Sequence, residues 1–162
     1  MQRFAHLFCF IVFATLIVGC GTQGPPVQFI EGTVSIDGVP VGTATITLVP
    51  KSTPGSMTDL TRPLSASGNT DSDGNFRLSA MQGGAIERGT NVGEYTVIIS
   101  KRIDTRVRTE AAHANLPPIW RYDVPKLFES ESTSPISVTI VKGKNRFDFN
   151  LKLDGTFTVN GQ

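Results

Sequence analysis

Asp71, Asp73 and Asn75 stand at i, i+2 and i+4 in the stretch TDSDGNFRLS, with Gly74 between the last two. Oxygen-bearing side chains at that spacing on a bent loop can converge on a hard cation such as calcium. An EF-hand loop, however, places its glycine after the third ligand and a bidentate glutamate six residues beyond it. Here Gly74 precedes Asn75, and the residue six positions after Gly74 is Ala80. A cation would need a further carboxylate from Asp59 or from a distant loop, so the expectation is no bound metal, with Asp71, Asp73 and Asn75 as weak candidates. Acid–base catalysis by Asp71 and Asp73 would need unequal pKa values in a concave site, whereas on an exposed turn both ionise. A third chemistry is architectural: aspartate bonds its own backbone two residues on, glycine supplies positive φ, and Phe76 begins a strand. IDGVPV at 36–41 repeats that device.

Other reactive residue types are sparse. The chain has two histidines and two cysteines, and His113 with neither a second histidine nor a cysteine beside it cannot make a conventional zinc site. No serine sits in a nucleophile-elbow context and no phosphate-cradling glycine loop follows a strand. The expectation is therefore no catalytic residue, no cofactor and no enzyme activity. Aromatic residues offer contact instead. Trp120, Tyr122 and Phe128 fall in one irregular segment, where they can stack on sugar rings or anchor a protein partner; equally, Trp120 can close one end of an apolar core. Lys101, Arg102, Arg106 and Arg108 form a basic run interleaved with Asp104 and Glu110. Charges so mixed protect an edge strand from pairing with another sheet, or meet a phosphate or lipid headgroup.

The N-terminus carries the strongest signal. Arg3 precedes a nearly continuous apolar stretch, Leu7 to Val18, which has the layout of a secretory signal. The stretch ends in IVGC, Ile17 to Cys20, which resembles the bacterial lipobox: the chain is cut before the cysteine, whose thiol carries a diacylglyceryl group. Fewer apolar residues precede Cys20 than the roughly 20 a spanning helix needs. Cleavage removes Arg3 and leaves 14 Lys+Arg against 14 Asp+Glu, a balance that gives no electrostatic reason to expect nucleic acid as partner. It also removes Cys9 and commits Cys20 to lipid, so neither a disulfide nor a thiolate is left for the folded part. The expected location is the outer membrane or cell surface of a bacterium, reached through the N-terminal lipid.

Residues 1–19 thus read as signal, 20–28 as lipidated cysteine and flexible tether, 29–155 as one domain, and 156–162 as a short terminal strand or tail. Within the domain the apolar period is two. Val34 and Ile36, then Ala44, Ile46 and Leu48, form a strand–turn–strand unit around DGVPV. Phe76 and Leu78 follow the 70–75 turn, and Tyr95, Val97 and Ile99 mark a strong strand. Ile136, Val138 and Ile140, a turn at KGKN, and Phe147, Phe149, Leu151 and Leu153 predict a β-hairpin. Lys101 to Ser134 is the least regular part, with room for a short helix around Arg108 to Asn115, and is long for a bare loop. About seven short strands and little helix predict an all-β, antiparallel sandwich.

Five segments in order, GTVSIDGVPVGTATITLVP, TDSDGNFRLS, GEYTVIIS, LPPIWRY and VKGKNRFDFNLK, resemble small planctomycete-type bacterial lipoproteins with a carboxypeptidase-regulatory-like domain. The resemblance spans roughly Gly32 to Lys152. It implies a transthyretin-like (prealbumin-like) sandwich, exported and surface-associated, without established catalysis. Leu116, Pro117 and Tyr122 match the family's IPxKY loosely, while Ile119-Trp120-Arg121 and DVPKLFESES depart from its pattern. The enzymatic branch of the transthyretin superfamily, 5-hydroxyisourate hydrolase, relies on histidines, an arginine and a C-terminal Tyr-Arg-Gly-Ser; this chain keeps His113 alone after processing and ends TVNGQ. The function expected is a non-enzymatic, lipid-anchored envelope protein displaying loops to a protein or envelope partner, the alternative being a carbohydrate-binding module using the aromatics of residues 101–134.

Overall fold

The computed structural model describes residues 25–51, 63–104 and 120–161, with only the backbone at 104 and 120. These residues are all-β. The strands are β1 (Phe29–Ile36), β2 (Val39–Pro40), β3 (Thr45–Pro50), β4 (Ala66–Asn69), β5 (Asn75–Arg77), β6 (Ser79–Gln82), β7 (Ala85–Arg88), β8 (Gly93–Ser100), β9 (Arg102–Asp104), β10 (Trp120–Tyr122), β11 (Ser137–Ile140), β12 (Lys144–Leu151) and β13 (Phe157–Asn160). The single helical element among them is a 3-10 turn, Lys126–Phe128. One sheet has the order β13-β12-β1-β2, with β5 also on β1; the second runs β11-β8-β3-β4-β6-β7; β9 and β10 form a separate ribbon.

The period-two pattern translates directly into a shared core. Ile30 and Val34 of β1, Phe147, Phe149 and Leu151 of β12, and Phe76 of β5 come from the first sheet. Ile46, Leu48, Tyr95, Val97, Ile99, Val138 and Ile140 come from the second, and all join one buried cluster. Phe149 stacks on Phe76 at 5.8 Å and on Phe147 at 6.2 Å. Each such side chain contributes about 1.5–3 kcal/mol on full burial, the stabilisation a domain without disulfides relies on.

There are more strands than the seven expected because the chain changes sheet in mid-course. After β4 the 70–75 turn hands β5 to β1, and β6 then returns to β4. Thr70 fastens this corner: its hydroxyl donates to the Val41 carbonyl (2.6 Å) and accepts from the Ala44 amide (2.8 Å). Likewise β1 and β3, expected as one strand–turn–strand unit, lie in different sheets. β1 instead makes a tight hairpin with β2 through Asp37 (φ 49°) and Gly38 (φ 81°), the two positive φ values a type I′ turn requires.

The hairpin predicted over 136–153 does not form. β11 pairs with β8, while β12 pairs with β13 and, in parallel, with β1, so residues 141–143 arch from one sheet to the other. Asn145 makes the arch possible. It is fully buried, accepts the Val141 amide through Oδ1 (2.9 Å), and donates through Nδ2 to the carbonyls of Val141 (3.0 Å) and Gly143 (3.2 Å). One side chain thereby pairs backbone groups that a hairpin ladder would have paired. Leu153 lies past the strand and is exposed.

Both ends of the domain are tied into the sheets. The end of the expected tether is docked: Gln28 is buried and pairs with Thr90, and its Oε1 accepts the Gly143 amide (2.7 Å). At the other end, of the strand or tail expected over 156–162, the strand is what forms: Phe157–Asn160 pairs with β12 in the first sheet.

Candidate functional site

The strand registers give the domain two ends. At one lie Pro25 to Gln28, the 141–143 arch, the start of β8 at Gly93 and the β6–β7 tip at Gly83–Gly84. At the other lie the Asp37–Gly38 turn, the 70–75 turn, the end of β8 at Ser100 and, continuing from it, the β9–β10 ribbon.

In the 70–75 turn every polar group of Asp71 is engaged. Its Oδ1 accepts the amides of Asp73 (3.0 Å) and Asn75 (2.8 Å), and the Asn75 Nδ2 donates to both carboxylate oxygens. The Asn75 backbone amide, followed by its side chain, holds the Asp71 carboxyl below the ordinary aspartate range. Gly74 sits at φ 77°, and a Cβ there would run into the Val34 carbonyl oxygen. Asp71 and Asn75, with the backbone amide of Asp73, therefore make a turn clamp in which N–H donors engage the Asp71 oxygens that a cation would need. Among the described residues no group of three or more His, Cys, Asp or Glu side chains is placed to hold a metal.

The irregular segment is organised differently. Phe128, expected as a possible ligand contact, is fully buried and meets Phe157 edge-on at 5.9 Å. That correction follows from the 3-10 turn, which directs Phe128 inward while Leu127 stays exposed. Val124 is buried beside it, and Ser134 donates its hydroxyl to the Val97 carbonyl. These contacts fix residues 124–134 to β8 as a base for the ribbon.

On that base stands Tyr122, opposite Arg102 in the ribbon register. The Tyr122 ring is partly exposed and carries the Lys126 ammonium 4.5 Å from its centroid and the Arg102 guanidinium at 6.0 Å. Asp123 takes ion pairs from Lys101 (3.4 Å) and Arg121 (3.0 Å). Arg102 pairs at 3.5 Å with Oε2 of Glu129, a carboxylate whose side chain is only 7% exposed. Oε1 of that carboxylate is buried with no hydrogen-bond partner among the described residues. Cys20, the Trp120 side chain, Arg106, Arg108, His113 and the helix expected over 108–115 lie outside the described residues. The Arg102–Glu129 and Lys126–Tyr122 contacts were not legible beforehand, because nothing local links a strand residue to a glutamate 27 positions on.

One open groove of about 370 Å³ lies near this end, lined by Asp37, Asn150, Lys152 and Phe157 among others. Nearby, Asp154 accepts the amide (2.8 Å) and hydroxyl (2.7 Å) of Thr156, and these bonds, the hydroxyl first, lower its carboxyl pKa. Thr156 itself lines the groove.

Comparison with protein-family models, with curated proteins and with solved structures returned no match. Functional assignment therefore rests on the geometry of the two ends. No helix of the described residues is long and apolar enough to cross a membrane.

Proposed function

We propose that this chain is an exported, lipid-anchored envelope protein without catalytic activity, of the carboxypeptidase-regulatory-like, transthyretin-like sandwich type. Its anchor is Cys20, in the outer membrane or at the cell surface. Its working surface is the platform of Tyr122, Arg102, Lys126 and Glu129, held toward a protein partner. The observation that carries this proposal is the opposition of the ends: Pro25, five residues after Cys20, is docked at one end, and the platform stands at the other. The eight residues of β8 separate them by about 26 Å at a rise of about 3.3 Å per residue.

A protein partner suits the platform better than a sugar does. Sugar stacking needs a free aromatic face, but Lys126 covers the Tyr122 ring and Phe128 belongs to the core. An exposed aromatic ring flanked by Arg102 and Lys126 has the character of a contact hot spot. Photo-crosslinking in intact cells from position 121 should give one discrete protein adduct, and Lys126→Glu should suppress it. Specific binding on a glycan array, abolished by Tyr122→Ala, together with no protein adduct, would replace this proposal by the carbohydrate one.

A further inference from the structure

We infer that the Pro25 end of the domain is a membrane-seating face, on which Val92, Val141, Met81 and Ile86 rest in the headgroup layer of the bilayer carrying the anchor. The inference rests on the proposed lipidation of Cys20 and adds to it a fixed orientation.

Chain length is the first support. Pro25 is held at this end because its carbonyl accepts Nδ2 of Asn91 (3.0 Å) and Nε2 of Gln82 (3.2 Å). Five residues extend over at most about 18 Å, so a domain tied at Pro25 cannot move far from a lipid on Cys20. Whatever projects from the Pro25 end meets the bilayer first.

The surface chemistry is the second. Ile140 pairs with Gly93, so Val141 and Val92 are the next residues beyond the last rung of that ladder, and they are 42% and 51% exposed. Met81 pairs with Ile86 one rung below the β6–β7 tip, and these are 68% and 76% exposed. Between the two pairs lies the docked Pro25–Gln28 segment, bonded to Gly143 of the arch. Exposed apolar side chains flanking a tether are suited to the acyl–headgroup boundary. Lys51, Lys142 and Lys144 are exposed at the same end, with Glu94 opposing them, and basic residues close to an anionic leaflet are attracted to its phosphates.

After processing, Cys20 is the single cysteine and is blocked by lipid, so an introduced cysteine can be labelled alone. Val141→Cys, Ile86→Cys and Val39→Cys would each carry an environment-sensitive fluorophore. Val39 is 66% exposed and lies at the far end, which makes it an apolar control. Each labelled mature protein is placed in phosphatidylethanolamine–phosphatidylglycerol vesicles and quenched with acrylamide, beside a soluble counterpart that begins at Gly21. The expected result is several-fold weaker quenching on vesicles at 141 and 86, with no change at 39. Equal quenching at all three positions in vesicle-bound protein would overturn the seating while leaving the anchor intact. Protection at 141 and 86 already present in the soluble form would overturn it in favour of a second copy of the chain. Unbound protein with an unmodified Cys20 would remove the anchor, and the seating with it.

Discussion

The 70–75 turn and the Tyr122 platform are both clusters of charged side chains at the same end of the domain, yet they differ in what is left over. In the turn both oxygens of Asp71 are bonded to Asn75 and to the backbone. On the platform Oε1 of Glu129 is buried without a partner among the described residues, and Tyr122 and Arg102 remain partly exposed. A cluster that satisfies itself shapes the chain, whereas a cluster that leaves an aromatic ring and a guanidinium partly exposed can still gain from a partner.

Substitutions should separate these roles by their effect on stability. Phe128→Ala should have the largest effect, a loss of about 3–5 kcal/mol in urea unfolding, as expected for removing a buried phenylalanine. An unchanged unfolding midpoint would instead return Phe128 to the contact surface. Asn145→Ala should cost about 2–3 kcal/mol, because the Val141 amide and the arch carbonyls lose their buried partner. Asp71→Ala should lower the melting temperature measurably, and added calcium should leave the wild-type melting curve where it is. A calcium-dependent rise abolished by Asp71→Ala would turn the clamp back into a cation site.

The same turn sets an acid response. A folded-state pKa below the unfolded value means that Asp71 and Asp154 stabilise the fold above about pH 4. That stabilisation is lost as the pH falls through their lowered folded values. Acid titrations of wild type and Asp71→Asn should converge at the lowest pH and diverge above it. The smallest stability effect belongs to the platform: Lys126→Ala should cost about 0.5–1 kcal/mol at most, the range for an exposed cation–π contact, while reducing crosslinking from position 121. A larger loss of stability would mean that Lys126 is part of the scaffold.

Period-two alternation identified the inward residues well, since Ile46, Leu48, Tyr95, Val97, Ile99, Val138, Ile140, Phe147, Phe149 and Leu151 are all buried. Alternation specifies a face but not a neighbour, which is why β11 and β12 read as a hairpin and belong to different sheets. The deciding residue was Asn145, a polar side chain at an inward position, and its buried bonds to the arch can be recognised only once the turn is folded. Gln28 misled in the same way, as a polar residue in a breaker-rich stretch that is buried against Thr90 and Gly143. In the platform the sequence located the irregular segment, but aromatic type alone could not distinguish the bolt, Phe128, from the displayed ring, Tyr122.

The central claim is that the domain hangs from a lipid on Cys20, and mass spectrometry of the mature N-terminus tests it most directly. The expected mature chain begins at Cys20 with diacylglyceryl on its thiol. A mature protein beginning elsewhere, or beginning at an unmodified Cys20, would contradict it.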